Sequence, residues 1–161
     1  MATSRWLSAE EERAWRAFRR MTIKVRAEIV SALVATGLSE ADYEVLSSLV
    51  DRPDVTSTLH AQATKMGWSR SRLSRHASRM EARGLLSRAP DPEDGRGCLL
   101  VLSREGRAAL RAATPAHLES VRRCFVEPLD DEDLRAIIRL SSRLCQVGPE
   151  SEPSDAAEDQ G

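Results

Sequence analysis

Apolar residues recur along this chain at two different periods, and the switch between them divides it. From Ser8 onward they fall three and four apart: Trp15, Phe18, Val25, Ile29 and Leu33 make one stripe. Met21, Ile23, Val30 and Val34 make a second. That spacing predicts a long helix opened by a Ser8/Glu11 capping box and stopped at Thr36-Gly37. A helix with two apolar sides is buried on both, commonly between its own domain and a partner subunit. Ser39 and Asp42 open a second helix that carries Tyr43, Val45 and Leu46 and ends before Arg52-Pro53. Ser57 or Thr58 caps a short third helix, Leu59 to Met66, closed by Gly67. Ser69 caps a fourth that ends at Gly84. Two helices joined by so short a glycine-containing turn form a helix-turn-helix pattern.

Past Gly84 the period shortens. Residues 85–89 (LLSRA) and 98–103 (CLLVLS) read as strands, separated by PDPEDGRG, which is turn chemistry throughout. The expectation is a hairpin with a polar tip: a wing. Helical periodicity then returns from Arg104 to about Phe125, with a bend expected near Thr114-Pro115. A last helix, 129–145, is capped by Asp130, and its apolar face holds Leu134, Ile137, Ile138 and Leu144. Residues 147–161 are acidic and almost free of large apolar side chains, which predicts a disordered tail. The fold class expected is mainly α with a small β-wing. The division is an N-terminal helix (1–36), a winged helix-turn-helix lobe (37–103), C-terminal helices (104–146) and the tail.

The fourth helix gives this outline a chemistry. Residues 68–84 read WSRSRLSRHASRMEARG, with five arginines around the narrow apolar stripe of Leu73, Ala77 and Met80. The overall net charge of −1 conceals an uneven distribution: residues 52–107 carry 11 basic and 6 acidic side chains, residues 108–161 carry 6 and 11. A basic centre points to a polyanionic partner, although 22 of the 24 basic residues are arginine, so arginine richness alone says little. The order of elements says more: short helix, glycine turn, basic helix, strand, polar tip, strand. On the basic helix, Arg70, Ser71, Ser74, Arg75, Ser78 and Arg79 face outward. Short hydroxyl side chains let a helix sink into a groove about 12 Å wide, and arginine grips guanine O6 and N7 with two hydrogen bonds. The expected partner is double-stranded DNA, with contacts from Ser57, Ser69, Arg70, Ser71, Arg72, Ser74, Arg75, Arg79 and Arg88. Arg83, at the far end, is expected to meet the wing or solvent, and Trp68 to pack as a lid on the core.

Here the chain resembles the MarR (multiple antibiotic resistance regulator) family of bacterial transcription factors. The likeness runs over about residues 8–145 and is carried by LSEADYEVLSSL (38–49), SRSRLSRHASRMEARGLLSR (69–88) and DPEDGRGCLLVLSREGRAAL (91–110). It implies an intertwined winged-helix homodimer whose recognition helices enter successive major grooves of a pseudo-palindrome. The first helix and the last two helices would interlock, with Trp15, Phe18, Phe125, Leu134, Ile137, Ile138 and Leu144 at the dimer contact. Asp94 and Arg96 match the family's wing tip, so Arg96 would reach a minor groove with Asp94 orienting it. The resemblance also implies a repressor released by a small, often aromatic, effector. Trp15, Phe18, Met21 and Tyr43 fit such a pocket and fit core or dimer packing equally well; core packing is favoured. His76 stands where the family usually has an aliphatic residue, and a packed neutral histidine is the expectation.

Other classes find less support. Cys98, Cys124 and Cys145 form no CxxC, and three reduced thiols are expected, leaving a thiol-based redox regulator of the same fold as an alternative. The family's oxidant sensors use a cysteine near the first helix, and none precedes position 98 here. His60, His76 and His117 make no ligand spacing with them, so neither metal nor cofactor is expected. No nucleophile elbow, phosphate-binding glycine loop, H-E-x-x-H or dinucleotide fingerprint is present, and an enzyme is not expected. A winged helix that binds protein instead of DNA would not need Arg70, Arg75, Arg79 and Arg96 all exposed. No apolar run approaches a membrane span and the first residues lack a secretory h-region, so a cytoplasmic location is expected.

Overall fold

Capping chemistry sets most helix starts. In the computed structural model, which describes residues 6–51, 56–92 and 97–146, helix α1 (Ala9–Val34) begins with Ser8 and Glu11 exchanging hydrogen bonds. Glu10, Glu11 and Glu12 complement its N-terminal dipole. Helix α2 (Glu40–Val50) repeats the device with Ser39 and Asp42. Thr58 caps α3 (Leu59–Lys65), Ser69 caps α4 (Arg70–Ala82) and Ser103 caps α5 (Arg104–Val121). Asp130 Oδ1 accepts from the N–H groups of Glu132 and Asp133 at 2.9 and 2.8 Å and starts α6 (Asp131–Gln146).

The stops are as local. Gly67 and Gly84 take left-handed φ of 61° and 71°, a region open to glycine at no steric cost. Trp68 N–H can then return to the Ala63 carbonyl, and Leu85 N–H to that of Met80. Only Gly67, Trp68 and Ser69 stand between the cap of α3 at Met66 and the start of α4, which keeps the two helices in one unit.

The hairpin has the expected strands, β2 (Leu86–Pro90) and β3 (Cys98–Leu102), paired antiparallel from Leu86 opposite Leu102 to Pro90 opposite Cys98. A third strand was not expected. Thr56–Thr58 forms β1, which joins the free edge of β3 with Ser57 opposite Leu100, so the sheet order is β1-β3-β2. This register turns Ser57 inward. Its side chain is 3 % exposed, which removes it from the surface contacts expected of it.

One core joins these elements. Val45, Leu46 and Leu49 of α2 meet Leu73, Ala77 and Met80 of α4, with Leu86 and Leu100 from the sheet, Leu110 and Ala113 from α5 and Leu33 from the end of α1. Each fully buried leucine contributes a few kcal/mol, roughly 2–5 by the cost of truncation to alanine. Helix α5 runs through Pro115, and the Thr114 hydroxyl donates to the Leu110 carbonyl at 2.8 Å. It ends at Val121, short of Phe125, because the backbone loosens into a π-helical turn, Arg122–Val126. Where α5 begins, Ser103 ties it to the end of α4. Its hydroxyl donates to the Gly84 carbonyl at 2.6 Å, and its N–H donates to that of Leu85 at 3.4 Å. Gly106 lies so close that a Cβ there would stand 1.9 Å from the Leu85 carbonyl oxygen.

Outside this core the long helices are bare. Leu33 is the one buried residue of α1; Trp15, Phe18, Met21, Ile23, Val30 and Val34 are exposed. The two-sided burial expected of this helix is therefore absent within a single chain. Leu118, Val126, Ile138, Leu140 and Leu144 are exposed as well, Ile138 and Leu144 by two thirds of their surface, while Phe125, Leu134 and Ile137 are half-buried. The acidic tail, 147–161, lies outside the described residues, and no helix among those described is long and apolar enough to cross a membrane.

Candidate nucleic-acid interface

Helix α4 presents two chemically different sides. Leu73, Ala77 and Met80 are sealed in the core and His76 is nearly so. Ser69, Arg70, Ser71, Arg72, Arg75, Ser78 and Arg79 are exposed, and Ser74 is half-buried. Ser69 Oγ accepts from Arg72 N–H at 3.2 Å and lies 3.2 Å from Ser71 Oγ, so two hydroxyls cluster at the positive end of the helix.

The arginines around this helix divide by what holds them. Arg70 and Arg75 have no ion pair or side-chain hydrogen bond among the described residues, and both point to solvent. Arg72 is stacked, its guanidinium carbon 3.9 Å from the centroid of the Trp68 ring. Trp68 itself packs half-buried against the core, with its ring nearly perpendicular to that of His76, 5.5 Å between centroids. Arg79 Nη2 donates to His76 Nδ1 at 3.2 Å. Arg88, expected at the DNA surface, is turned onto the helix instead. From β2 its guanidinium donates to the Ser74 carbonyl and, at 2.9 Å, to Ser78 Oγ, while its backbone N–H donates to Glu81. Arg88 is thus a strap between wing and helix. Arg83 does not meet the wing: nearly half exposed to solvent, it donates to Asp42 Oδ2 and to the Gly37 carbonyl, both at 2.7 Å.

Asp42 is the hub of that second attachment. It is 2 % exposed and accepts from Arg83 and from the Ser39 N–H at 3.0 Å, while its other oxygen lies 3.1 Å from His76 Nε2, close but off the line of a hydrogen bond. Burial opposes its ionisation, but the interactions with His76, Arg83 and Ser39 outweigh burial and hold the carboxyl well below the usual carboxylate range. The sequence marks Asp42 only as half of a capping box; its long-range partners, 34 and 41 positions away by residue number, leave no local signature.

The wing strands converge where Asp91 N–H donates to the Gly97 carbonyl at 3.3 Å. The tip between them, with Asp94 and Arg96, lies outside the described residues.

A cleft of about 570 Å³ opens between α1, α2 and the α3–α4 turn, and Phe125 closes one side. Met21, Val25 and Ile29 give it an apolar wall, Trp68 and Arg72 another, and Arg26 bonded to Glu40 at 2.7 Å a polar rim. Burial, with Glu40 nearby, raises the Glu44 carboxyl above its ordinary value at the same rim. Of Trp15, Phe18, Met21 and Tyr43, Met21 lines this cleft. Trp15 and Phe18 stack on each other farther along α1, and Tyr43 packs on the His117 ring at 4.2 Å. Sequence spacing missed Trp68, Arg72 and Phe125, which reach the cleft from three separate elements. The thiols are apart from it: Cys98 and Cys124 are half-buried and Cys145 is exposed.

Comparison with known proteins places this architecture. A family model described as "MarR family" matches residues 36–97, the span from the α1–α2 turn to the base of the wing. AbsC, a MarR family transcriptional regulator from Streptomyces coelicolor, is 31 % identical; the match covers 89 % of this chain and 97 % of AbsC, with a TM-score of 0.84. Sco3205, a MarR family regulator from the same organism solved in complex with DNA, is 26 % identical over 94 % of this chain and 97 % of its own, with a TM-score of 0.86. Transcriptional regulator HosA of Escherichia coli O111:H- is 29 % identical over 107 residues, 66 % of this chain and 77 % of HosA. Shared backbone and sequence over nearly the whole of AbsC, together with a basic helix set between a glycine turn and a wing, make this chain a member of the MarR family of transcriptional regulators.

Proposed function

We propose that the chain represses transcription as a homodimer that reads a pseudo-palindromic operator. The observation that carries this reading is the exposed face of α4, where Arg70 and Arg75 have no partner among the described residues and stand among serines short enough to let the helix enter a major groove. Unpaired cations on a rigid helix are free to meet phosphates and base edges, while Arg83 and Arg88 hold that helix in place. The DNA complex of Sco3205, a relative of the same fold, supports the assignment. Asp94 and Arg96 would extend the contact into the flanking minor groove. Bare apolar faces on α1 and α6 supply the dimer contact, since a stable isolated chain does not expose Ile138 and Leu144 on one helix without a covering partner. Residues 1–36 and 104–146 then form the dimer domain and 37–103 the reading head.

The cleft beside Trp68 and Arg72 is the proposed effector site. Its apolar walls and one aromatic face suit a small planar molecule. Arg72 belongs at once to the cleft and to the first turn of α4, so an occupant that displaces it from Trp68 alters the reading head directly.

Mobility shift on DNA flanking the chain's own coding sequence, at two salt concentrations against random competitor, tests the reading. Retention of a specific complex at the higher salt supports it. Replacing Arg75 with Ala should weaken that complex and relax its sequence choice by about 1–3 kcal/mol. Equal loss on operator and random DNA would assign Arg75 to a phosphate.

A further inference from the structure

His76 lies at a junction that DNA reading by α4 alone does not account for. It is 8 % exposed, faces α2 from the inner flank of α4, and both ring nitrogens meet charged groups. Nε2 stands 3.1 Å from Asp42 Oδ1 and Nδ1 stands 3.2 Å from Arg79 Nη2. These neighbours select one tautomer. A guanidinium only donates, so Nδ1 must keep its lone pair, and in the neutral ring the hydrogen falls to Nε2, on the side of the Asp42 carboxylate. The ring has a neighbour on each side, and the Trp68 ring stands nearly perpendicular to it, 5.5 Å between centroids. Asp42 is fixed in turn by Arg83 and the Ser39 N–H.

We propose that His76 is a positioning residue for Arg79, and that the Asp42–His76–Arg79 relay presents the Arg79 guanidinium to DNA in one orientation. The proposal rests on the reading that α4 enters DNA. Arginine has five N–H donors, and engaging one at Nη2 leaves Nε and Nη1 for a phosphate or base edge. An exposed arginine otherwise loses rotamer freedom on binding, and the histidine supplies that ordering beforehand. Arg70 and Arg75 have no such anchor among the described residues and Arg72 is stacked on Trp68, so Arg79 is the arginine whose guanidinium is held by a hydrogen bond from within the same helix.

Two substitutions separate the ring's contacts. In His76→Asn the amide oxygen occupies the place of Nδ1 and still accepts from Arg79. In His76→Gln the amide nitrogen occupies the place of Nε2, so a donor stays beside Asp42 and the acceptor for Arg79 is lost. The full-length chain first selects a duplex from a random-sequence library, and that duplex is the probe for every variant. Its affinity should fall about three- to tenfold in His76→Gln, the range of one hydrogen bond, and stay within about twofold of wild type in His76→Asn. Added to Arg79→Ala, His76→Gln should cost nothing more. An equal loss with and without Arg79, or a His76→Asn chain as weak as His76→Gln, would make His76 a packing residue and overturn the proposal. So would an imidazole nitrogen spectrum of the wild-type chain with the hydrogen on Nδ1, a readout that survives even where a variant fails to fold. A wild-type chain that enriches no duplex would sink the DNA reading and this role together; tight wild-type binding that ignores His76→Gln would sink the role alone.

Discussion

Replacing Asp42 with Asn changes one atom and keeps the shape, which isolates what the buried charge contributes. The carboxylate accepts from Arg83 and the Ser39 N–H and lies against His76 Nε2 at 3.1 Å. The amide keeps one accepting oxygen and turns a donor toward a donor on the other side. A buried hydrogen bond to a charged group is worth about 1.5–3 kcal/mol, and breaking a buried pair by neutralising one partner costs about 3–5 kcal/mol. Arg83 is nearly half exposed and recovers water, which places the loss at the lower end, about 3 kcal/mol. For a chain of this length that is a fall in Tm of roughly 6–12 °C. Urea unfolding of both proteins at one fixed protomer concentration measures it. The pH dependence adds a sign. The folded carboxyl lies below its ordinary value of 3.8, so its contribution is complete above that pH. It is lost as pH falls below 3.8 toward the folded value, at up to about 1.4 kcal/mol per pH unit. The gap between wild type and Asp42→Asn should therefore be constant near neutrality and narrow below pH 4. A gap under about 1 kcal/mol at pH 7, or one that persists unchanged into acid, would refute the hub.

Other expectations are separately accessible. Gly106→Ala drives a methyl into the Leu85 carbonyl, which backbone cannot yield without moving α5 from α4, and should cost about 3 kcal/mol or more by thermal unfolding. Ile138→Asp with Leu144→Asp should halve the mass seen by light scattering while leaving the reading head folded; an unchanged mass would remove α6 from the dimer contact. Arg88→Ala cuts the strap between β2 and α4 and should speed amide exchange in Leu86–Pro90 while leaving α2 protected.

Much of the fold was legible because its signals are local. Ser8/Glu11, Ser39/Asp42, Ser69, Ser103 and Asp130 each start the helix that follows, and the capping bonds span two or three residues. The arginine-bearing face of α4 followed from its period. What escaped the sequence depends on contacts between distant segments. Thr56–Thr58 is a strand only because β3 offers an open edge. The inward turns of Ser57 and Arg88 follow from that sheet's register and its packing on α4, and arginine carries no mark in sequence that separates a strap from a contact. The cleft is assembled from α1, α2, the α3–α4 turn and Phe125, so no window of consecutive residues contains it.

The joint at Ser103 and Gly106 turns α5 into a lever arm. Backbone contact there leaves no slack, so the end of α4 must follow the start of α5 as one body. Eighteen residues of helix span about 27 Å. A tilt of roughly 5° at the far end of α5 would then carry the reading head by about 2 Å, a displacement worth comparing with the spacing of about 34 Å between half-sites. Sensitivity to whatever bends or shifts the proposed dimer domain would thus be built into a glycine away from the exposed face of α4, with a gain set by helix length.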